Sequence, residues 1–245
     1  MLSERMENEM DIQAELEQLR QSIQAAQDEV MLAVMFHENW KPAAYDVGLH
    51  ERMGTSFATH SFQIIRLALR REVLMALMRV WDKDKRAVRL TAIAEILKNK
   101  KCFDALVHAR AARINIGPDP IGDMRSALEP KRDEILRLIR KYMENGDGSS
   151  VLESLRALRH ERLAHRQTER PTTAPGVEAT EQEIEAFYQD TLEIVRLLLS
   201  LVMGHAFDIA TEAAGVYRHH ASFFWAAARG ERTEGHPNFK RPSLG

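Results

Sequence analysis

The segment at residues 154–167 concentrates the residue types that can act on a phosphodiester without a metal ion. It places Arg159 six positions before His165 and puts a second imidazole, His160, directly after the arginine. An imidazole can accept and release a proton near neutral pH, and a guanidinium can hold a phosphate through two parallel hydrogen bonds. These three side chains are therefore the candidate catalytic residues.

Three further arginines give the same segment a basic face. The formal net charge of the whole chain is −2, so a nucleic acid would have to bind a local basic patch, because the protein as a whole is not a polycation. The candidates for contacts with an RNA backbone are Arg156, Arg162 and Arg166.

Helix geometry constrains how Arg159 and His165 can act together. At about 100° per residue, six positions turn His165 about 120° away from Arg159 around a straight α-helix. The two side chains therefore need a distorted helix, or a groove that a two-fold dimer would form with one copy from each subunit. The alternative interpretation is a solvated basic helix face with one half-buried histidine.

The other chemical motifs in the chain are weaker. The stretch from His160 to His165 resembles the zinc motif HExxH, but its histidines are five positions apart and cannot chelate one metal ion from one helix face. Asp82 and Asp84 favour a solvated loop over a magnesium site. Neither a P-loop nor a GxGxxG fingerprint occurs. The sequence therefore predicts no metal and no cofactor.

Composition favours a globular, cytoplasmic protein that does not enter a membrane. The single cysteine, Cys102, excludes an internal disulfide and fits a reducing compartment. The first residues are charged and lack the apolar core of a signal peptide. The most apolar run, residues 197–203, is far shorter than the roughly 20 residues that cross a bilayer.

Apolar periodicity predicts helices and gives no convincing strand. A seam with alternating steps of four and three runs from Ile12 to Val30 and predicts a helix over residues 3–36 that ends before Pro42. A second long helix is predicted over residues 51–81, and shorter ones over 101–113 and 122–142. The expected buried side of the second helix carries Ile64, Leu67, Leu74, Leu77 and Trp81.

Polar residues mark the starts of other helices. Thr91 is predicted as an N-cap, and two capping boxes are predicted, at Ser150 with Glu153 and at Thr180 with Glu183. The fold is therefore predicted to be all-α, a single helical bundle with long antiparallel helices over residues 1–229. The polar tail at 230–245 is predicted to be disordered, and a second arginine–histidine pair of similar spacing lies at its start, with Arg229 just before it and His236 within it.

Two stretches carry a resemblance to a known family. Leu158-Arg-His-Glu-Arg-Leu-Ala-His165 resembles the defining motif of HEPN domains, in which an arginine and a polar residue precede a histidine by a few positions. Val80-Trp-Asp-Lys-Asp84, followed by residues 88–97, is similar to the AbiU-like branch that is associated with phage abortive infection. The resemblance covers about residues 27–215.

The resemblance implies a helical bundle that dimerises with its two motifs facing each other. It also implies a metal-independent endoribonuclease for many members, and loss of catalysis in some. His165 would be the catalytic histidine, Arg159 the motif arginine and His160 the polar position after it. The expected function is thus a toxin or abortive-infection effector that cleaves RNA as a homodimer, with a cognate antitoxin as a further partner. The alternative is a non-catalytic helical module that binds RNA or protein, as an antitoxin or scaffold does.

Overall fold

The structure, a computed structural model, describes residues 2–54, 57–114, 117–159 and 179–228, together with Lys240. Within these ranges the chain is helical, and its only β-type pairing is a single bridge between Trp81 and Arg89. The all-α prediction is confirmed. The α-helices are α1 (Leu2–Tyr45), α2 (Val47–Met53), α3 (Phe57–Val80), α4 (Leu90–Lys98), α5 (Lys100–Ile114), α6 (Pro120–Lys141), α7 (Ser149–Leu158), α8 (Glu181–Leu198) and α9 (Ala214–Ala227), and Leu199–Met203 and Ile209–Ala213 are π-helical.

These elements form two compact units. The first comprises residues 1–30 and 77–208, and the second comprises residues 31–76 and 209–245. None of the described helices combines the length and the apolarity needed to cross a bilayer.

The core of the first unit begins with the seam predicted on α1. Leu16, Leu19, Ile23, Ala26 and Val30 are all buried, and each large aliphatic side chain removed from water contributes about 1.5–3 kcal/mol. The same unit holds an aromatic cluster at the end of α3. The ring of Trp81 lies 5.5 Å from Tyr142 and 5.4 Å from Phe187, and its Nε1–H donates to Thr191 Oγ1 at 3.0 Å. Trp81 is therefore fixed on both its apolar and its polar side.

The second unit has its own apolar cluster around the contact between Phe62 and Trp225, whose ring centroids are 5.6 Å apart. The Nε1–H of Trp225 donates to the backbone carbonyl of Asn39 at 2.9 Å. The cluster is completed by Ala43, Leu49, Met53 and Ala221.

Both predicted long helices had the wrong ends. Helix α1 continues to Tyr45 with Pro42 inside it. An internal proline costs about 3 kcal/mol, but burial of Trp40 and Ala43 on either side offsets this cost. The helix predicted over 51–81 is two helices, because Gly54 closes α2 with a φ of 53°, a region that glycine enters without a Cβ clash.

The prediction of which side chains of α3 are buried was only partly correct. Leu74, Leu77 and Trp81 are buried, but Ile64 and Leu67 are exposed, Leu67 by 71%. No described residue covers that part of the helix. Periodicity identifies an apolar stripe, but it cannot tell whether the same chain supplies the surface that covers it.

The start signals were also mixed. Thr180 and Glu183 form the predicted capping box at the start of α8. The box at Ser150 was wrong, since α7 starts after Gly148 without a side-chain cap. A Cβ at Gly148 would lie 2.6 Å from the ring of Tyr142, so close packing sets this helix start. Thr91 was also wrong as an N-cap, because α4 begins at Leu90 with Arg89 in the cap position.

Candidate functional site

The end of α3 provides backbone acceptors for two arginines, Arg156 of α7 and Arg159, which caps the C-terminus of α7. The last carbonyls of a helix have no partner within that helix. Arg159 donates from Nη1 to the carbonyl of Met78 at 3.3 Å, and Arg156 donates from Nη2 to the carbonyl of Trp81 at 3.1 Å. Because the two arginines are three positions apart, they project on neighbouring parts of one helix face. Their positive charge also suits the negative end of the α3 dipole.

The buried side of α7 explains why these arginines point toward α3, because Arg156 and Arg159 each come four positions after a buried leucine. Val151, Leu152 and Leu155 are buried, so the helix is oriented by its apolar side. Arg156 is then partly buried, and this burial lowers the pKa of its guanidinium, against the effect of Glu153 and Asp82. Arg156 therefore supports the junction between the two helices.

Arg159 forms an ion pair with Asp82, with 2.7 Å between Nη1 and Oδ2. The two side chains are 25% and 20% exposed, respectively. Oδ1 of Asp82 accepts the backbone N–H groups of Lys83 at 2.6 Å and of Asp84 at 3.0 Å. Burial acts to raise the pKa of the Asp82 carboxyl, but the Asp84 N–H and the Arg159 guanidinium outweigh it and hold that pKa below its usual value. Asp82 is thus a carboxylate at neutral pH, with both oxygens in use.

A short hairpin holds Asp82 in place. The bridge between Trp81 and Arg89 closes it, and the N–H of Ala87 donates to the carbonyl of Asp84 inside it at 3.0 Å. Since Trp81 is buried in the core, the hairpin begins at a rigid point and Asp82 is the next residue along the chain.

The Arg159 guanidinium keeps one edge available. Nη1 carries two hydrogens, and its two acceptors are Asp82 and Met78. Among the described residues, Nε and Nη2 of Arg159 have no hydrogen-bond partner. These two nitrogens lie on the same edge of the planar group, which is the edge that binds a carboxylate or phosphate side-on.

Arg159 and Asp82 line an open depression of about 300 Å³ within the first unit. A second guanidinium–carboxylate pair lies in the same lining, with 2.6 Å between Nε of Arg79 and Oε2 of Glu29. Ala87 and Val88 supply its apolar part. The depression therefore holds two guanidinium groups of fixed position, each paired with a carboxylate, and has room for part of a polar ligand.

The predicted site residues divide into two groups. Arg159 and Arg156 lie at the junction just described. His160, Arg162, His165 and Arg166 lie outside the described residues. Their roles, and the convergence of Arg159 with His165, stay predictions.

Asp82 is the residue that sequence reasoning missed. Together with Asp84 it was interpreted as part of a solvated loop, and this holds for Asp84, which pairs with the exposed Arg86. The two acids look alike in the sequence. The one available signal was that Asp82 lies in the stretch that carries the family resemblance. Within the described residues, no group of three His, Cys, Asp or Glu side chains could hold a metal ion.

Comparison with protein families gives a match over most of the chain. A family model described as AbiU2, of the HEPN group (HEPN_AbiU2), matches residues 9–224. No curated protein and no solved structure matches the chain. The matched span contains α3, the hairpin with Asp82, Arg159 and the predicted histidine position His165.

Proposed function

The chain belongs to the AbiU2 family of HEPN proteins, and on this premise we propose that it is a metal-independent endoribonuclease that acts as a toxin-like effector in abortive infection. The observation that carries the proposal is the motif arginine, Arg159. It is fixed through Nη1, lines a depression, and has no partner on its Nε–Nη2 edge among the described residues, so this edge suits an anion. An arginine on a fully solvated helix face would not have the two fixed acceptors that Arg159 has.

RNA carries its own nucleophile, so the protein has to manage protons and charge. A base takes the proton of the ribose 2′-hydroxyl, the 2′-oxygen forms a bond to the neighbouring phosphorus, and the bond from phosphorus to the 5′-oxygen breaks. The 5′-oxygen receives a proton, which leaves a 2′,3′-cyclic phosphate and a 5′-hydroxyl. We assign the proton transfers to His165, from one or both subunits, with His160 as the polar residue beside the arginine.

Arg159 is assigned to the phosphorus. Its free edge would bind two non-bridging oxygens and stabilise the additional negative charge that develops when the 2′-oxygen attacks. Arg162 and Arg166 are assigned to flanking phosphates, which position the RNA without reading its sequence. Arg156, which already donates to the Trp81 carbonyl, would add positive charge near Arg159.

A homodimer is part of the proposal, because six positions along a straight helix would put Arg159 and His165 on different sides of it. Most of the large apolar side chains that are exposed among the described residues belong to the second unit. Exposed apolar surface of this kind is typical of an interaction face, and a second copy of the chain is the partner we propose for it. The exposed apolar side chains of the second unit include Phe57, Ile64, Leu67, Val216, Phe223 and Phe224.

The deciding experiment treats single-stranded RNA with the purified protein in EDTA. The proposal expects products with 2′,3′-cyclic phosphate ends, and no cleavage of DNA of the same sequence, because DNA lacks the attacking hydroxyl. His165→Ala and Arg159→Ala should abolish cleavage in folded protein. Arg229→Ala and His236→Ala are controls matched for residue type and approximate spacing, and they should cleave like the wild type.

Other outcomes would favour the alternative function. Salt-sensitive RNA binding without products, weakened by arginine substitutions but unchanged in His165→Ala, would indicate a non-catalytic RNA-binding module. Cleavage at the wild-type rate by both site variants would reject the assigned residues. Growth arrest on expression in the cytoplasm, relieved by His165→Ala, would support the toxin assignment and give an assay in which to find a cognate antitoxin.

A further inference from the structure

We infer that Asp82 is a positioning residue of the proposed site, which fixes the Arg159 guanidinium so that its Nε–Nη2 edge meets the scissile phosphate. The inference rests on the proposed function, since it assigns the phosphate to Arg159. It adds an acidic residue from a distant part of the chain, 77 positions before the arginine.

Asp82 is itself held in place. Oδ1 accepts two backbone N–H groups, from Lys83 and Asp84, and the preceding residue, Trp81, is anchored in the aromatic cluster. An acceptor that is fixed by the backbone cannot follow a moving arginine. The arginine must instead adopt the orientation that Asp82 sets.

Arg159 is also held at two points. The two hydrogens of Nη1 have separate acceptors, Oδ2 of Asp82 at 2.7 Å and the carbonyl of Met78 at 3.3 Å. One acceptor would leave the planar group free to turn about that bond, whereas two acceptors fix its plane. A guanidinium oriented before the substrate arrives loses less conformational freedom when the phosphate binds.

Asp82 and a phosphate need not compete for the same N–H donors of Arg159. The carboxylate uses Nη1, and a side-on phosphate would use Nε and Nη2 on the other edge. The five N–H donors of a guanidinium suffice for Asp82, Met78 and two phosphate oxygens together. Asp82 therefore orients the arginine without occupying the donors that the reaction requires.

The side-chain amide in Asp82→Asn would remove this arrangement while changing the volume very little. If its oxygen accepted from Lys83 and Asp84, its NH₂ group would face the Nη1 donors of Arg159. If the amide turned to offer its oxygen to Arg159, the two backbone N–H groups would lose their acceptor. Either orientation releases the guanidinium plane or loosens the hairpin.

The test is a double-mutant cycle with Asp82→Asn and Arg159→Ala, and Asp84→Asn is the matched control. Asp84 lies in the same hairpin, but its side chain pairs with the exposed Arg86. Two quantities are measured for each variant. One is the single-turnover cleavage rate of an RNA in EDTA, and the other is the Kd for the same sequence with 2′-O-methyl groups, which cannot be cleaved. Thermal melting monitors the fold.

A positioning role predicts a rate in Asp82→Asn that is lower by about tenfold or more, as is typical when a residue that orients a functional group is lost. The Kd should change less than the rate, and Asp84→Asn should stay within about twofold of the wild type. In the Arg159→Ala background, where cleavage is already abolished, the Kd is the quantity compared, and Asp82→Asn should weaken binding no further, because its effect acts through the arginine. Additive losses would overturn the inference.

Asp82→Glu provides a second variant if Asp82→Asn fails to fold. It keeps the negative charge but moves it by one methylene, so positioning predicts a slow enzyme and a simple charge effect predicts the wild-type rate. If the wild-type protein binds RNA without cutting it, the nuclease proposal fails, and coupling between Asp82 and Arg159 in Kd decides the inference by itself. If the wild-type protein neither binds nor cuts RNA, both are rejected.

Discussion

Arg156 donates a hydrogen bond from Nη2 to the backbone carbonyl of Trp81, across a distance of 3.1 Å. This bond joins α7 to the point where α3 ends, and it places a cation where the helix dipole is negative. Trp81 is buried, so water competes little with Arg156 for this carbonyl. The junction that presents Arg159 therefore depends on a neighbouring arginine with a structural role.

Arg156→Ala should lower the free energy of unfolding by about 1–2 kcal/mol, because it leaves the Trp81 carbonyl without its charged donor. The effect on RNA affinity in folded protein should be smaller than that of Arg162→Ala. Chemical denaturation measures the first quantity and a binding titration measures the second. Arg137→Ala is the control, since Arg137 is exposed and its ion pair is with Glu134 of its own helix. An unchanged denaturation midpoint in Arg156→Ala would contradict the structural role.

Patterns in the sequence predicted those parts of the fold that depend on nearby residues. The seam on α1 was correct because its spacing alone identifies a helix face, and the capping box at Thr180 was correct because both partners lie within one turn. Errors arose where distant packing decides the outcome. Pro42 stays inside a helix because buried neighbours compensate for it, and α7 starts after Gly148 because Tyr142 packs against that backbone.

The candidate site shows the same division. Arg159 was predicted from a local motif, and in the structure it is held by Asp82 and the Met78 carbonyl. Asp82 could not be separated from Asp84 by sequence, because the difference between them is the presence of Arg159, which the fold brings to one of them only. The remaining motif residues, including His165, stay predictions.

Arg79 lines the same depression as Arg159 and should contribute to RNA binding. Arg79→Ala should weaken the affinity for RNA and reduce the salt dependence of log K by about one phosphate contact. The measurement is a titration with non-cleavable RNA at several salt concentrations. Arg137→Ala, which removes an equal charge from the outer face of α6, should leave both the affinity and the slope nearly unchanged. Equal effects of the two substitutions would show that only net charge matters.

The ion pair of Asp82 with Arg159 should persist throughout the neutral range and fail only in acid. The folded protein holds the pKa of Asp82 below its ordinary value near 3.8. The stability from this carboxylate is therefore present above that value and is lost as the pH falls through the lower pKa of the folded state. The difference in free energy of unfolding between the wild type and Asp82→Asn should be constant from about pH 8 to pH 5. It should shrink below the ordinary value, and a difference that already shrinks above pH 5 would contradict the lowered pKa.

The exposed apolar side chains of the second unit, among them Leu67, should mediate self-association. Leu67→Glu places a charge on the outer side of α3, where burial against a second copy would be costly, and it should shift the protein from dimer to monomer. Ile114→Glu is the matched control, because Ile114 is also an exposed aliphatic residue but ends α5 in the first unit. Light scattering coupled to gel filtration gives the mass of each variant, and melting curves verify the fold. A dimeric Leu67→Glu protein would locate the interface elsewhere, and a monomeric wild type would remove the proposed groove between two copies. Loss of cleavage together with loss of the dimer, in a protein that keeps its fold, is the result that links assembly to the reaction.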